Sequence, residues 1–347
     1  MPKPFAPAKL RLRSPADLLA TVPHMLGFVP ADSVVAVCLH GARSRAGLVL
    51  RFDLPNPEYA ALIAGEICQR VEIAEADGVF IAVFSPETKG DDGRPAHAAL
   101  VDEIRAGLTV RLHEAVITDG RRWWSYSCPE PCCGGVDGLV IDLGTSGAMS
   151  VAAAYALNGR TVLPDRESLV SSVGLELSAE EVLAAEARIA AAIAEVSDLD
   201  RACRRTRVRH LALRLMEQCD DPRELPSDPD LAQLAALCTD VVVRDEVLAL
   251  GPDAGRRERL MPVLHAAVRR VPPPYDAAVC TMFGMLAYAD GSGVTAGVAL
   301  DRALHTDPDY SLAGLISDAL SRQVPPSMVE EVIRAAAGDL RHRDTAG

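Results

Sequence analysis

The segment GVFIAVFS, residues 78–85, is a nearly continuous apolar run. A run of this length, rich in β-branched and aromatic residues, is typical of a central strand that is covered on both faces. The segment therefore predicts a sheet with helices packed against it. The neighbouring sequence supplies the other strands and the helices.

Strand-like and helix-like patterns alternate around this run. SVVAVCLHG (33–41) and AGLVLRFDLP (46–55) predict an antiparallel hairpin, because only a short turn separates them. The alternation continues with two helical segments and two strands: NPEYAALIAGEICQRVEIAEA (56–76), AHAALVDEIRAGL (96–108), HEAVITDG (113–120) and RRWWSYS (121–127). We therefore expect residues 1–176 to form an α/β domain in which helices cover a mixed sheet.

Strand patterns almost vanish after residue 177. SAEEVLAAEARIAAAIAEV (178–196) begins with a capping box, Ser178 to Glu181, and further helical stretches follow it. DVVVRDEVL (240–248) is too short for its periodicity to distinguish a strand from a helix. Residues 177–347 are thus predicted to be an all-α domain of helical hairpins.

The composition excludes some classes of partner. Hydrophobic residues make up 49% and charged residues 24%, as in ordinary globular proteins, and the net charge of −13 argues against a general affinity for nucleic acid or anionic lipid. The arginine-rich segment RACRRTRVRH (201–210) is the local exception. Because a carboxylate-rich helical segment precedes it, we expect ion pairs with that segment rather than a nucleic-acid site.

The sequence also predicts a cytoplasmic protein. The apolar stretch 18–39 is interrupted by Pro23, Pro30 and Asp32, which argues against a membrane span. The basic N-terminus has no apolar run behind it and predicts no secretory signal. The odd number of cysteines, most of them isolated among apolar residues, is typical of reduced thiols.

The segment RRWWSYSCPEPCCGG (121–135) contains both tryptophans and three of the nine cysteines. Cys128 and Cys132 have a spacing that can chelate zinc through one turn, and Cys133 adds a third thiol. A closed zinc site needs a fourth ligand. The pair Cys38 and His40, on one face of a predicted strand, is the other candidate source of metal ligands. Zinc is therefore a candidate cofactor, and the sequence leaves the cofactor undecided.

Other interpretations of these cysteines stay open. Arg121 and Arg122 could favour thiolates and thereby produce a redox-active or reactive cluster. Alternatively, the prolines and glycines form a plain loop whose cysteines fill the core beneath it. Neighbouring cysteines such as Cys132 and Cys133 rarely point at one ion, which argues against a shared metal.

The aromatic residues of this segment are candidates for lining a pocket. If 121–128 is a strand, Trp124 and Tyr126 share one face and Trp123 lies on the other. A strand with a tryptophan on each face is either covered on both faces or presents one indole to a groove.

VIDLGTSG (140–147) resembles the Asp-x-Gly-Thr phosphate loop of actin-like and sugar-kinase ATPases. Here the segment runs into an alanine-rich helical stretch, and no second acidic strand motif accompanies it. Thr145 or Ser146 is therefore expected to cap that helix. An anion site at the helix N-terminus is the alternative.

Four segments resemble an actinobacterial family, domain of unknown function 4192: LRSPADLLATVPHMLGFVPADSVV (12–35), WWSYSCPEPCC (123–133), GRTVLPDRESL (159–169) and VALDRALHTDPDYSLAGLISDAL (298–320). CCGG stands where the family pattern leads us to expect Cys-Cys-Pro, and MLAYADGSG (285–293) is a loose version of a helix that usually contains Trp. The resemblance implies a bacterial cytoplasmic protein and supplies no reaction.

No P-loop or dinucleotide-binding glycine motif is present, and sequence order alone assembles no catalytic triad. The leading hypothesis is therefore a non-catalytic or regulatory binding protein. The alternative is an enzyme, or a zinc- or thiol-dependent protein, with its site at the cysteine loop. The segment TAGVALDRALHTDPDYSLAGLISDAL (295–320) looks like a junction between tetratricopeptide units, which suggests a protein partner for the helical half; a lone packed hairpin is the alternative.

Overall fold

The computed structural model describes residues 14–144, 149, 152–153, 161–221 and 224–345, with side chains as far as Gly338. The chain divides into two compact units, Met1–Ser168 and Leu169–Gly347. A mixed sheet with helices forms the first unit and a run of helices forms the second, which confirms the predicted fold class. The division falls within the helix Arg166–Ser172, whereas the sequence placed the domain boundary at residue 177.

Six strands make up the sheet of the first unit: β1 (Ser33–His40), β2 (Arg45–Asp53), β3 (Gly78–Phe84), β4 (Arg111–Thr118), β5 (Arg122–Ser125) and β6 (Leu139–Val140). Their order is β2-β1-β3-β4-β5-β6. β3 and β4 run parallel, and each of the other neighbouring pairs is antiparallel. The cysteine loop therefore follows a strand near one edge of the sheet.

The apolar run that begins at Gly78 is a central strand of this sheet. Every residue of β3 is buried, and the strand lies between β1 and β4, as its composition predicts. β1 and β2 form the predicted hairpin, with Val35 opposite Arg51. The parallel pair of β3 and β4 needs a long crossover connection, which contains a helix.

Both faces of the central strands are buried. The α-helices of this unit before residue 144 are α1 (Pro15–Leu26), α2 (Ala60–Ile73) and α3 (Ala98–Gly107). Ile67 of α2 and Ile104 of α3 pack with Ile81 of β3 in one apolar cluster, so these two helices cover one face. Phe80, whose side chain points to the opposite face, is also buried.

Each regular element that the structure describes in the second half is a helix. These helices are α4 (Arg166–Ser172), α5 (Ala179–Ser197), α6 (Arg201–Gln218), α7 (Asp228–Leu237), α8 (Val241–Leu248), α9 (Ala254–Arg270), α10 (Ala277–Ala289), α11 (Gly293–Thr306), α12 (Ser311–Ser321) and α13 (Pro326–Thr345). α10 is buried along its whole length and lies at the centre of the helical core. None of the helices in the described ranges combines the length and apolar character that a membrane crossing requires.

Capping side chains explain where several of these helices begin. Ser178 and Glu181 form the predicted capping box of α5. Asp240 accepts a hydrogen bond from the backbone N–H of Val242, which satisfies a donor in the first turn of α8. Segment 240–248, which periodicity left undecided, is therefore a helix.

The arginine-rich segment 201–210 lies in α6 and forms ion pairs. Its pairs are Arg201 and Arg204 with Asp240, Arg205 with Glu246, and Arg207 with Glu195. Most of these carboxylates belong to α8 or to its N-cap rather than to the preceding helix α5. The expected partner helix α5 is confirmed for Arg207 and wrong for Arg201, Arg204 and Arg205, because α6 also packs extensively against α8.

Candidate metal centre

The cysteine loop leaves β5 and returns to the sheet at β6. Its backbone forms a turn of 3-10 helix at Pro131–Cys133. The carbonyl of Glu130 accepts hydrogen bonds from the N–H groups of Cys133 at 2.9 Å and Gly135 at 3.1 Å. These bonds satisfy backbone groups of the loop and fix its shape.

Two glycines let the loop lie directly on the strand. Gly134 has φ 110°, and a Cβ atom there would stand 2.8 Å from the carbonyl oxygen of Trp123. Gly138 has φ 72°, and a Cβ atom there would stand 2.5 Å from Cε2 of Trp124. Only glycine combines this conformation with so close an approach. Trp124 is therefore packed beneath the loop.

The loop brings three thiols together. The Sγ atoms of Cys128, Cys132 and Cys133 all lie within 4.8 Å of one another, and those of Cys132 and Cys133 are 3.7 Å apart. Two sulfurs of a regular tetrahedral zinc site are about 3.8 Å apart, since each Zn–S bond is about 2.3 Å long. Cys132 is exposed and the other two are half-buried, and all three are free thiols. The exposure of Cys132 shows that this residue does not fill the core beneath the loop.

The neighbouring thiols oppose the ionisation of Cys133. Hydrogen bonds with Cys128 and Cys132, and the negative charges that these groups would carry, raise the pKa of Cys133 to about 12. The guanidinium of Arg122 donates instead to the carbonyls of Asp137 and Gly138, both at 3.0 Å. The raised pKa of Cys133 gives no support to the expectation that the arginines favour a thiolate there.

The structure does not bring Cys38 and His40 to this cluster. β1 is separated from β5 by two strands, which places Cys38 roughly 14 Å from β5 at the usual strand spacing. Cys38 is fully buried, and burial raises its pKa to about 11. The ring of His40 packs against Gly47 of β2. Neither residue is a ligand for the three-thiol cluster.

Comparison with known proteins gives a family. The family described as "Domain of unknown function (DUF4192)" matches residues 15–327 of the chain. The chain belongs to this family. Comparisons with curated proteins and with solved structures found no match. The match to the DUF4192 family includes the whole cysteine loop.

The aromatic residues of the DUF4192 chain make contacts within the first unit. Trp123 is buried, and Trp124 is half-buried with its indole N–H 3.4 Å from the carbonyl of Val136. The hydroxyl of Tyr126 donates to the carbonyl of Ala96 at 2.5 Å. The two tryptophans lie on opposite faces as predicted, and the ring contacts support the loop.

Two polar residues that sequence reasoning missed support the first cysteine. The Oγ atom of Ser125 accepts hydrogen bonds from the N–H groups of Ser127 at 3.0 Å and Cys128 at 3.1 Å. The same hydroxyl donates to Oε1 of Glu114 at 3.0 Å. Ser125 follows Trp124 in β5 and therefore points to the other face of the sheet, but the pairing of β4 with β5 was needed to identify Glu114. Together these residues hold the start of the loop.

Thr145 and Ser146, the candidate anion site, lie outside the described residues.

Proposed function

We propose that this protein is a zinc-binding protein with its metal centre at Cys128, Cys132 and Cys133, and that it acts as a non-catalytic, regulatory binding protein. The observation that carries the proposal is the approach of the three sulfurs to within 4.8 Å of one another. The distance of 3.7 Å between the sulfurs of Cys132 and Cys133 matches the edge of a zinc–thiolate tetrahedron, about 3.8 Å, and the 4.8 Å limit for all three sulfurs lies about 1 Å above that edge.

The donor set favours a single thiophilic ion. Thiolates select zinc, copper(I) and iron–sulfur clusters over magnesium or calcium. Iron–sulfur clusters are usually held by four cysteines, so three thiols fit one ion better. Zinc also has no geometric preference of its own and accepts the tetrahedral arrangement that these sulfurs approach.

The surroundings of the cluster favour binding over catalysis. In the described part of the chain, the group that could hold a metal consists of the three cysteines alone. A hydrolytic zinc enzyme also needs a positioned acid or base. Glu114, the carboxylate that is hydrogen-bonded to Ser125, also accepts from the backbone N–H of Ala115. An enzyme with its site at this loop is the alternative function.

The test is the metal content of protein purified under reducing conditions without chelator. We expect about one zinc per chain. Cys128→Ser, Cys132→Ser and Cys133→Ser should each weaken zinc binding by more than about 100-fold, since losing an outer-shell partner alone costs 10–100-fold. Cys203→Ser, at an exposed thiol of the second unit, is the matched control and should retain the zinc. Metal-free wild-type protein, or loop variants that bind zinc like the control, would contradict the proposal.

The cytoplasmic location and a protein partner for the helical unit stay predictions. Free cysteines suit a reducing compartment. The exposed apolar side chains of Leu315, Met328 and Val332 on the last helices support a protein contact there. The ion-paired arginines of α6 favour a protein partner over nucleic acid.

A further inference from the structure

The three-thiol cluster is one ligand short of a closed zinc site. Structural zinc sites have four protein ligands, whereas zinc held by three protein ligands keeps a fourth position for an exogenous one. Among the residues that the structure describes, no fourth Cys, His, Asp or Glu places a ligand atom within the same distance of all three sulfurs. The described residues therefore supply three ligands.

The undescribed residues of the first unit contain no ligand of these types. They are residues 1–13, 145–148, 150–151 and 154–160, and none of them is Cys, His, Asp or Glu. In the described geometry, the fourth position on a bound metal is open to another molecule.

The cluster is accessible to a small molecule. Cys132 is exposed, while Cys128 and Cys133 are half-buried. The backbone at Gly134 lies against β5, where a Cβ atom would stand 3.0 Å from Cα of Trp124. The loop backbone therefore rests on the strand, and Cys132 is exposed to solvent.

The chemistry of the donor set selects the class of the fourth ligand. We infer that the metal held by Cys128, Cys132 and Cys133 binds a low-molecular-weight thiol; the inference rests on the metal binding proposed above. Three thiolates form a soft donor set, and a fourth sulfur completes the four-sulfur arrangement common in zinc sites. On binding, the S–H bond of the thiol breaks, a metal–sulfur bond forms and the proton passes to solvent. The site thereby captures the small molecule as its thiolate.

The test uses the full-length chain loaded with cobalt(II), which replaces zinc in thiolate sites and absorbs visible light. The probe is 2-mercaptoethanol, and ethanol, which has a similar size but no thiol, is the matched control. Adding the thiol should strengthen the sulfur-to-cobalt charge-transfer absorption and shift the d–d bands until they saturate, and ethanol should change neither. At a thiol concentration ten times its own dissociation constant, the apparent affinity for cobalt should rise about tenfold.

The outcomes separate the two proposals. Cobalt binding with a spectrum that ignores the thiol overturns the inference and leaves metal binding intact; the fourth ligand is then water or a group of a second chain. Loss of the charge-transfer absorption on adding thiol shows that cobalt is extracted, which also overturns it. If cobalt produces no charge-transfer absorption at all, the metal-binding proposal fails and the inference fails with it.

Discussion

The Sγ atoms of Cys132 and Cys133 lie 3.7 Å apart, although the two residues are neighbours in the sequence. In a strand, neighbouring side chains point to opposite faces. Here both residues belong to a turn of 3-10 helix, in which successive side chains are rotated by only a third of a turn. Cys132 and Cys133 can therefore point at one ion although they are adjacent in the sequence.

Zinc should protect the three loop thiols from alkylation. A metal-bound thiolate is a poorer nucleophile, so we expect iodoacetamide to modify Cys128, Cys132 and Cys133 at least about tenfold more slowly in zinc-loaded protein than after chelation. Mass spectrometry of the alkylated peptides measures each rate. Cys203 is exposed in the second unit and should react equally fast in both samples. Equal rates at the loop with and without zinc would count against metal binding.

Gly138→Ala should destabilise the first unit. The new Cβ atom would stand 2.5 Å from Cε2 of Trp124, and φ is 72°. Left-handed strain and overpacking together cost about 2–4 kcal/mol. Urea unfolding followed by tryptophan fluorescence measures the change, because both tryptophans of the chain lie in β5, the strand beneath the loop. Gly93→Ala is the control, with φ 79° and no atom within 4 Å of the added Cβ. Equal losses of unfolding free energy in the two variants would show that the contact with Trp124 contributes nothing to stability.

The helical unit should unfold more readily in the Arg302→Met variant than in the wild-type protein. Asp276 is 0% exposed and receives a hydrogen bond from Nε of Arg302 at 2.9 Å. Removing the guanidinium leaves a buried carboxylate without its charge partner, which costs about 3–5 kcal/mol. Thermal unfolding followed by circular dichroism at the helix signal measures this loss. Arg259→Met breaks an exposed pair with Asp220 and should change stability far less. Similar effects of both substitutions would refute a special role for the buried pair.

His265 should make the stability of the helical unit depend on pH. Burial lowers the pKa of His265 below its usual 6.5. Its Nε2–H donates to the carbonyl of Ser172 at 2.8 Å. As the pH falls, His265 is therefore protonated in the unfolded chain before it is protonated in the folded one. Stability is complete above about pH 6.5 and decreases as the pH falls through the lower folded pKa, by up to about 1.4 kcal/mol per pH unit.

The control for this pH dependence is His265→Gln. Glutamine can still donate to the carbonyl of Ser172 but does not titrate. Urea unfolding between pH 7 and pH 5 should show a steeper loss in the wild-type protein than in the variant. Parallel pH profiles would show that His265 stays neutral in both states or that its pKa is unshifted.

The parts of the fold that depend on local patterns were predictable from sequence. The run at Gly78 is the buried strand that its composition predicts, and Ser178 with Glu181 begins a helix. Partners distant in sequence were not predictable. The arginines of α6 pair mainly with Asp240 and Glu246, because tertiary packing places α8 beside them. Periodicity contains no information about which helix packs against which.

For the candidate site, too, the local features were predictable from sequence and the distant partners were not. Cysteine spacing singled out Cys128 and Cys132, because a short loop limits how far apart two thiols can be. The suggestion that Cys38 or His40 joins them failed because it depends on strand order, which places β3 and β4 between them and the loop. The support from Glu114 was missed for the same reason, since it depends on the register of β4 against β5.

The most direct test of the metal centre is X-ray absorption at the zinc edge of the purified, zinc-loaded protein. The account predicts three sulfur neighbours at about 2.3 Å in thiol-free buffer, with one oxygen or nitrogen completing the shell. Cys132→Ser should reduce the sulfur count by one or abolish zinc uptake. A shell made only of oxygen and nitrogen, or a wild-type protein that takes up no zinc, would contradict the account.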